Sequence, residues 1–163
     1  MKEVGYYNGT FGPLEKMQIP MLDRACYFGD GVYDFSLAYN GKIFALDEHV
    51  DRIYRSASMI EIEIPYTKEE MKAILQEAVN KSECEHVSIY WQVSRGTAIR
   101  NHIYPETDVK ANLMIMVKPG STPQEDVTFK LITLEDTRYL HCNIKTINLL
   151  PSVIAAEKAK KAG

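Results

Sequence analysis

The chain has 163 residues, 45% of them hydrophobic and 25% charged, with a formal net charge of −3. That length can bury one good core, or one whole domain and part of another. The acid excess leaves no basic face for nucleic acid, no apolar run reaches the roughly 18 residues that span a bilayer, and the N-terminus lacks the basic-then-apolar order of a secretory signal. Cys26, Cys84 and Cys142 are widely spaced and form no CxxC pair. They read as free thiols in a reducing compartment, so a soluble cytoplasmic protein without a metal site is expected.

The N-terminal part opens with two hairpin signals. Asn8-Gly9 and Asn40-Gly41 each lie between apolar or aromatic runs, and Asn-Gly suits the type I′ turn of a β-hairpin. Strands are expected near 3–7, 10–14, 32–39 and 42–46, with Gly29-Asp30-Gly31 a tight turn that lets backbone or ligand approach closely. Asp47 is expected to cap a helix running to about residue 61, with Val50, Ile53, Tyr54, Ala57 and Ile60 on one face and Asp51, Arg52 and Arg55 elsewhere. A second helix begins at Thr67, where Glu70 three residues on completes a capping box. Its buried stripe is Met71, Ile74, Leu75, Ala78 and Val79.

From His86 the period changes to two. Val87, Ile89, Trp91 and Val93 alternate with polar or amphipathic residues, as in a strand with one face in a core. Ala111–Val117 and Val127–Leu134 are expected as further strands, and Pro119-Gly120-Ser121-Thr122-Pro123 as a linker. The order implies an α+β domain over 1–118, a linker at 119–123, and the opening of a second domain over 124–163. In that last segment Pro151 suits the first turn of a helix and Gly163 its end, while Lys158, Lys160 and Lys161 complement the helix dipole.

Chemistry is expected in four places. Lys145 lies in the otherwise uncharged run Cys142–Leu150. Buried there, its amine loses hydration, which favours the neutral nucleophilic form suited to a Schiff base; the alternative is a lysine that extends its ammonium to water. Arg95, Arg100 and His102 fall within eight residues, in a loop with no carboxylate before Glu106. They suit a small anion, or merely a solvated loop. Tyr33 offers a hydroxyl to a ligand or packs as an ordinary strand residue. Arg52 is either a solvated arginine or part of a weak surface ion pair.

Taken in order, Phe28–Asp34, Glu48–Arg52, Arg95-Gly96-Thr97 with Arg100 and His102, and Cys142–Lys145 with Asn148-Leu149-Leu150 resemble the class IV (fold type IV) pyridoxal-phosphate aminotransferases. Within them the D-amino-acid branch is the nearest match. The resemblance implies that Lys145 holds pyridoxal 5′-phosphate and moves a proton at the substrate α-carbon. It implies that Arg52 binds the cofactor phosphate, and that Tyr33, Arg100 and His102 trap the substrate α-carboxylate. It further implies transamination between a D-amino acid such as D-alanine and a 2-oxo acid such as 2-oxoglutarate. The expected assembly is a homodimer in which a partner subunit's loop approaches the substrate. Branched-chain aminotransferase and aminodeoxychorismate lyase share the fold and stand as alternatives, as does a non-catalytic N-terminal module.

Asp34 stands where the family commonly has glutamate, and Ser152 where asparagine is frequent. Family members continue into a larger second domain, so the chain is expected to be an N-terminal portion that binds the cofactor weakly.

Overall fold

Both Asn-Gly pairs turn as expected. In the computed structural model, which describes residues 2–105, 108–120 and 127–163, Asn8 and Gly9 have φ of 43° and 94°, and Asn40 and Gly41 have 49° and 72°. Positive φ at both central residues matches the twist of the strands they join. The first pair joins β1 (Val4–Tyr7) to β2 (Thr10–Pro13) and the second joins β3 (Gly31–Tyr39) to β4 (Lys42–Ile43). With β5 (His86–Ser94) and β6 (Asn112–Pro119) they make one six-stranded sheet in the order β2-β1-β6-β5-β3-β4. Every pairing is antiparallel.

Strand alternation decides which face is covered. Val32 pairs with Val93, Ala38 with Val87, Trp91 with Ile115 and Ile89 with Val117, and all of these side chains are buried. Two helices cover that face: α2 (Leu46–Met59) and α3 (Lys68–Ser82). Helical spacing puts Val50, Ile53 and Ala57 of α2 and Met71, Leu75, Ala78 and Val79 of α3 into the same core. The Thr67–Glu70 capping box forms in both directions. The opposite sheet face is only partly shielded, with Phe35 and Leu37 exposed.

Several boundaries differ from the sequence expectation. The α2 cap is Ala45, in a left-handed conformation at φ 49°, and not Asp47, which lies inside the first turn. That reversal of the chain also cuts the strand expected at 42–46 to two residues. A five-residue helix α1 (Arg24–Phe28) has no counterpart in the expected elements, although Asp23 caps its start through the Ala25 N–H and Gly29 ends it at φ 62°. Pro119 closes β6 and so belongs to the sheet, while 121–123 of the expected linker, like Glu106, lie outside the described residues. The strand expected at Val127–Leu134 does not form. Phe129 and Leu131 are highly exposed there, and the segment pairs with no described strand. The last helix, α4 (Leu150–Lys161), carries Pro151 in its first turn and three lysines in its last.

The shortness of β4 leaves a gap in the sheet. It pairs only with Ala38 and Tyr39, so the same edge of β3 stays open at Gly31–Tyr33. Unpaired backbone groups on a partly buried edge are costly. Residues 145–147 fill the gap: Tyr33 N–H donates to Lys145 C=O at 2.9 Å and Ile147 N–H to Gly31 C=O at 3.2 Å.

Candidate functional site

That edge pairing fixes the backbone of Lys145. Its N–H also donates to Ser56 Oγ on α2 at 3.2 Å, and the Asn148 amide donates to Gly29 C=O at 3.1 Å. The neighbouring Thr146 is buried, while Lys145 itself is half-buried. Its Nζ lies 4.0 Å from the centroid of the Tyr33 ring. The negative face of an aromatic ring attracts an ammonium at this distance. Among the described residues no carboxylate pairs with this amine. Lys145 is therefore anchored through its backbone and presents its amine to an open space.

The space is a cleft of about 310 Å³ whose wall includes Tyr33, Arg52, Arg138, His141, Lys145 and Ser152. Arg52 reaches it because it sits off the buried stripe of α2. The expectation of a solvated arginine or weak surface pair is corrected here. Arg52 Nε and Nη2 donate to the two carboxylate oxygens of Asp34, each at 2.7 Å, and Asp34 is fully buried. The hydrogen bonds and charge of Asp34 raise the Arg52 pKa further above its ordinary value. Arg138 is already committed to Asp136, whose carboxyl its hydrogen bonds hold down to about 2. The cleft thus gathers cationic groups with no unpaired acid among the residues that line it.

Tyr33, Arg52 and Lys145 meet in this cleft; Arg100 and His102 do not join them. The Arg100 guanidinium and the His102 ring each lie 5.0 Å from the centroid of Phe28. His102 lines a separate depression with Arg24, Asp30, Arg95 and Tyr104. The two hollows adjoin, since Tyr139, Thr146 and Asn148 border both.

Arg95 is not an available anion ligand. It is buried, its Nε donates to Asp30 at 2.9 Å, and Nη1 and Nη2 donate to the carbonyls of Glu61 and Ile60. Its guanidinium also stacks 3.6 Å from the Tyr104 ring centroid. The carboxylate absent from its own loop comes from the Gly29-Asp30-Gly31 turn. Sequence reasoning named Asp34 and Asp30 only as motif positions and missed their role as partners of the two arginines. An acid at an inward position of an apolar strand was the available sign for Asp34.

Residues 31–163 match the family described as Amino-transferase class IV, and the chain belongs to that family. The D-alanine aminotransferase of Staphylococcus haemolyticus is 38% identical over 158 residues, which cover 96% of this chain and 56% of that protein. The D-alanine aminotransferase of Listeria monocytogenes serotype 4b is 39% identical over 150 residues, covering 89% of this chain and 52% of that one. The solved T.th. branched-chain amino acid aminotransferase with pyridoxamine 5′-phosphate superposes with a TM-score of 0.84 at 27% identity, over 98% of this chain and 56% of that chain. The chain spans about half the length of the curated relatives it matches.

Proposed function

We propose that this chain carries the lysine half of a pyridoxal-phosphate-dependent aminotransferase that exchanges an amino group between a D-amino acid of the D-alanine type and a 2-oxo acid such as 2-oxoglutarate. The observation that carries the reading is the placement of the Lys145 amine 4.0 Å over the Tyr33 ring, in a cleft that Arg52 also lines. The donors suit the cofactor: a primary amine for its aldehyde, and a guanidinium for its phosphate. A cleft of about 310 Å³ lies at the lower end of the usual range for small-molecule sites. We take residues 124–163 as the opening of a second domain.

Pyridoxal phosphate, when bound, supplies the electron sink that stabilises negative charge at the substrate α-carbon. The chain supplies position and proton transfer. Lys145, held through its backbone to β3, delivers and removes the proton at the α-carbon. Arg52 holds the phosphate. The Tyr33 hydroxyl hydrogen-bonds the substrate carboxylate. Arg100 and His102, which face the Phe28 side of their own chain, serve that carboxylate across a homodimer, as a loop supplied by the partner subunit. Three unpaired thiols, two of them exposed, fit a reducing cytoplasmic setting.

Identity of 38% to a D-alanine aminotransferase, against 27% to a branched-chain enzyme, supports the D-amino-acid reading. The high structural similarity to the second keeps the branched-chain reading as its rival. Turnover of D-alanine against L-leucine, in the protein that carries this chain, separates the two. For the site itself, added pyridoxal phosphate is expected to give a stoichiometric absorbance band. Borohydride should abolish the band and leave a mass label on Lys145, and Lys145→Ala should show neither. A non-catalytic module would show no band, and a label on a different lysine would refute the assignment.

A further inference from the structure

Asp34 occupies a position where the strand pattern calls for an apolar side chain. It lies on the inward face of β3 with Val32 and Ala38, opposite Trp91, and is 0% exposed. A carboxylate taken out of water there is costly unless paired and fully hydrogen-bonded. It is paired. Oδ2 accepts from Arg52 Nε; Oδ1 accepts from Arg52 Nη2, from the Phe35 N–H at 2.6 Å, and faces His49 Nδ1 at 2.8 Å. His49 and Arg52 stand three residues apart on α2, so both reach the same point. His49 Nδ1 also lies 3.1 Å from Arg52 Nη2, so the imidazole touches both members of the pair.

The geometry of the guanidinium gives this arrangement a consequence. Arginine is planar and presents its donors along fixed edges. The Nε/Nη2 edge is occupied by Asp34, whereas Nη1 makes no hydrogen bond among the described residues. The side chain is 40% exposed and borders the Lys145 cleft. A surface arginine would sample many rotamers; this one has its plane fixed from behind by a buried acid, itself braced by His49.

We propose that Asp34 and His49 are positioning residues, which lock the plane of Arg52 so that its free edge is presented to a phosphate monoester in the cleft. The inference rests on the reading of Arg52 as the phosphate-binding residue, and goes beyond it by naming what makes that arginine selective.

Pyridoxamine 5′-phosphate and pyridoxamine differ only in the phosphate, and neither carries an aldehyde to react with Lys145. The ratio of their affinities, measured by calorimetry on this chain, therefore reads the phosphate contact alone. The wild-type chain should prefer the phosphate ester. Asp34→Asn, which offers the guanidinium an amide in place of an ion, should reduce that preference by on the order of tenfold, the scale on which orienting partners act. Asp34→Glu, which keeps the charge, should restore most of it. If Asp34→Asn weakens both ligands equally and only lowers the melting temperature, Asp34 is merely structural, and the proposal fails while the reading of Arg52 stands. A wild-type chain with no preference would remove both. If Asp34→Asn does not fold, His49→Ala decides the matter, because it leaves the Asp34–Arg52 pair itself intact. A preference unchanged in that variant overturns the proposal; a severalfold loss supports it.

Discussion

Replacing Gly29 by alanine should destabilise the chain by about 2–3 kcal/mol, through two separable effects. Gly29 ends α1 at φ 62°, donating its N–H to Ala25 C=O. A residue with a Cβ pays roughly 1–2 kcal/mol in that left-handed region. The new Cβ would also stand 2.5 Å from Asn148 Oδ1, inside van der Waals contact. Asn148 must swing away, giving up its 3.1 Å hydrogen bond to Gly29 C=O, a further loss of about 1 kcal/mol. Asn148→Ala alone loses only that bond, about 1 kcal/mol. The double variant has no asparagine left to displace, so it should cost no more than Gly29→Ala, a coupling of about −1 kcal/mol. Equilibrium urea unfolding of the four proteins, at constant slope, measures all three terms. Strictly additive costs, or a Gly29→Ala penalty below about 0.5 kcal/mol, would show that the turn and the Lys145 segment are not in contact as described.

Two further outcomes can be checked independently. Thr67→Ala removes the side chain that receives the Glu70 N–H and faces the Glu70 carboxylate, and should cost about 1 kcal/mol in thermal or urea unfolding; a neutral result would mean the capping box does not persist in solution. In alkali, Tyr54 and Tyr90 are pushed up to about 12, chiefly by burial, and Tyr6 and Tyr7 are raised further, again by burial first and for Tyr7 by Asp23 next. A folded pKa above the unfolded one gives stability that is complete below about pH 10. It is lost as pH rises through about 12. Spectrophotometric titration should therefore show four of the ten tyrosines ionising late and together with unfolding. Smooth ionisation of all ten near pH 10 in a chain that stays folded would contradict the burial described.

Much of the fold is local and could be read locally. A type I′ turn needs only Asn-Gly, a capping box only Thr67 and Glu70, and the period of two in β5 only the alternation from Val87 to Val93. Failures fell where a local rule met a distant partner. The run at 127–134 has strand composition, but a strand exists only where another strand receives its hydrogen bonds. Ala45, an improbable residue for a left-handed cap, adopts that conformation to turn α2 back onto the sheet. The cleft side chains Lys145, Arg52 and Tyr33 are singled out by family resemblance, and their meeting in one cleft is a fact of the fold.

By itself the sequence determined the two hairpin turns, the α3 capping box and the buried faces of α2, α3 and β5, because periodicity and capping act within a few residues of chain. Which arginines are available to a ligand was decided only in three dimensions. Arg52 and Arg95 look alike in sequence, and each binds a carboxylate, at separations of 18 and 65 residues. Arg95 spends its hydrogen bonds on Asp30 and two carbonyls and lies buried, whereas Arg52 borders the cleft with Nη1 making no hydrogen bond among the described residues. A guanidinium has five N–H donors, and only the packing around it determines how many are left to bind anything else.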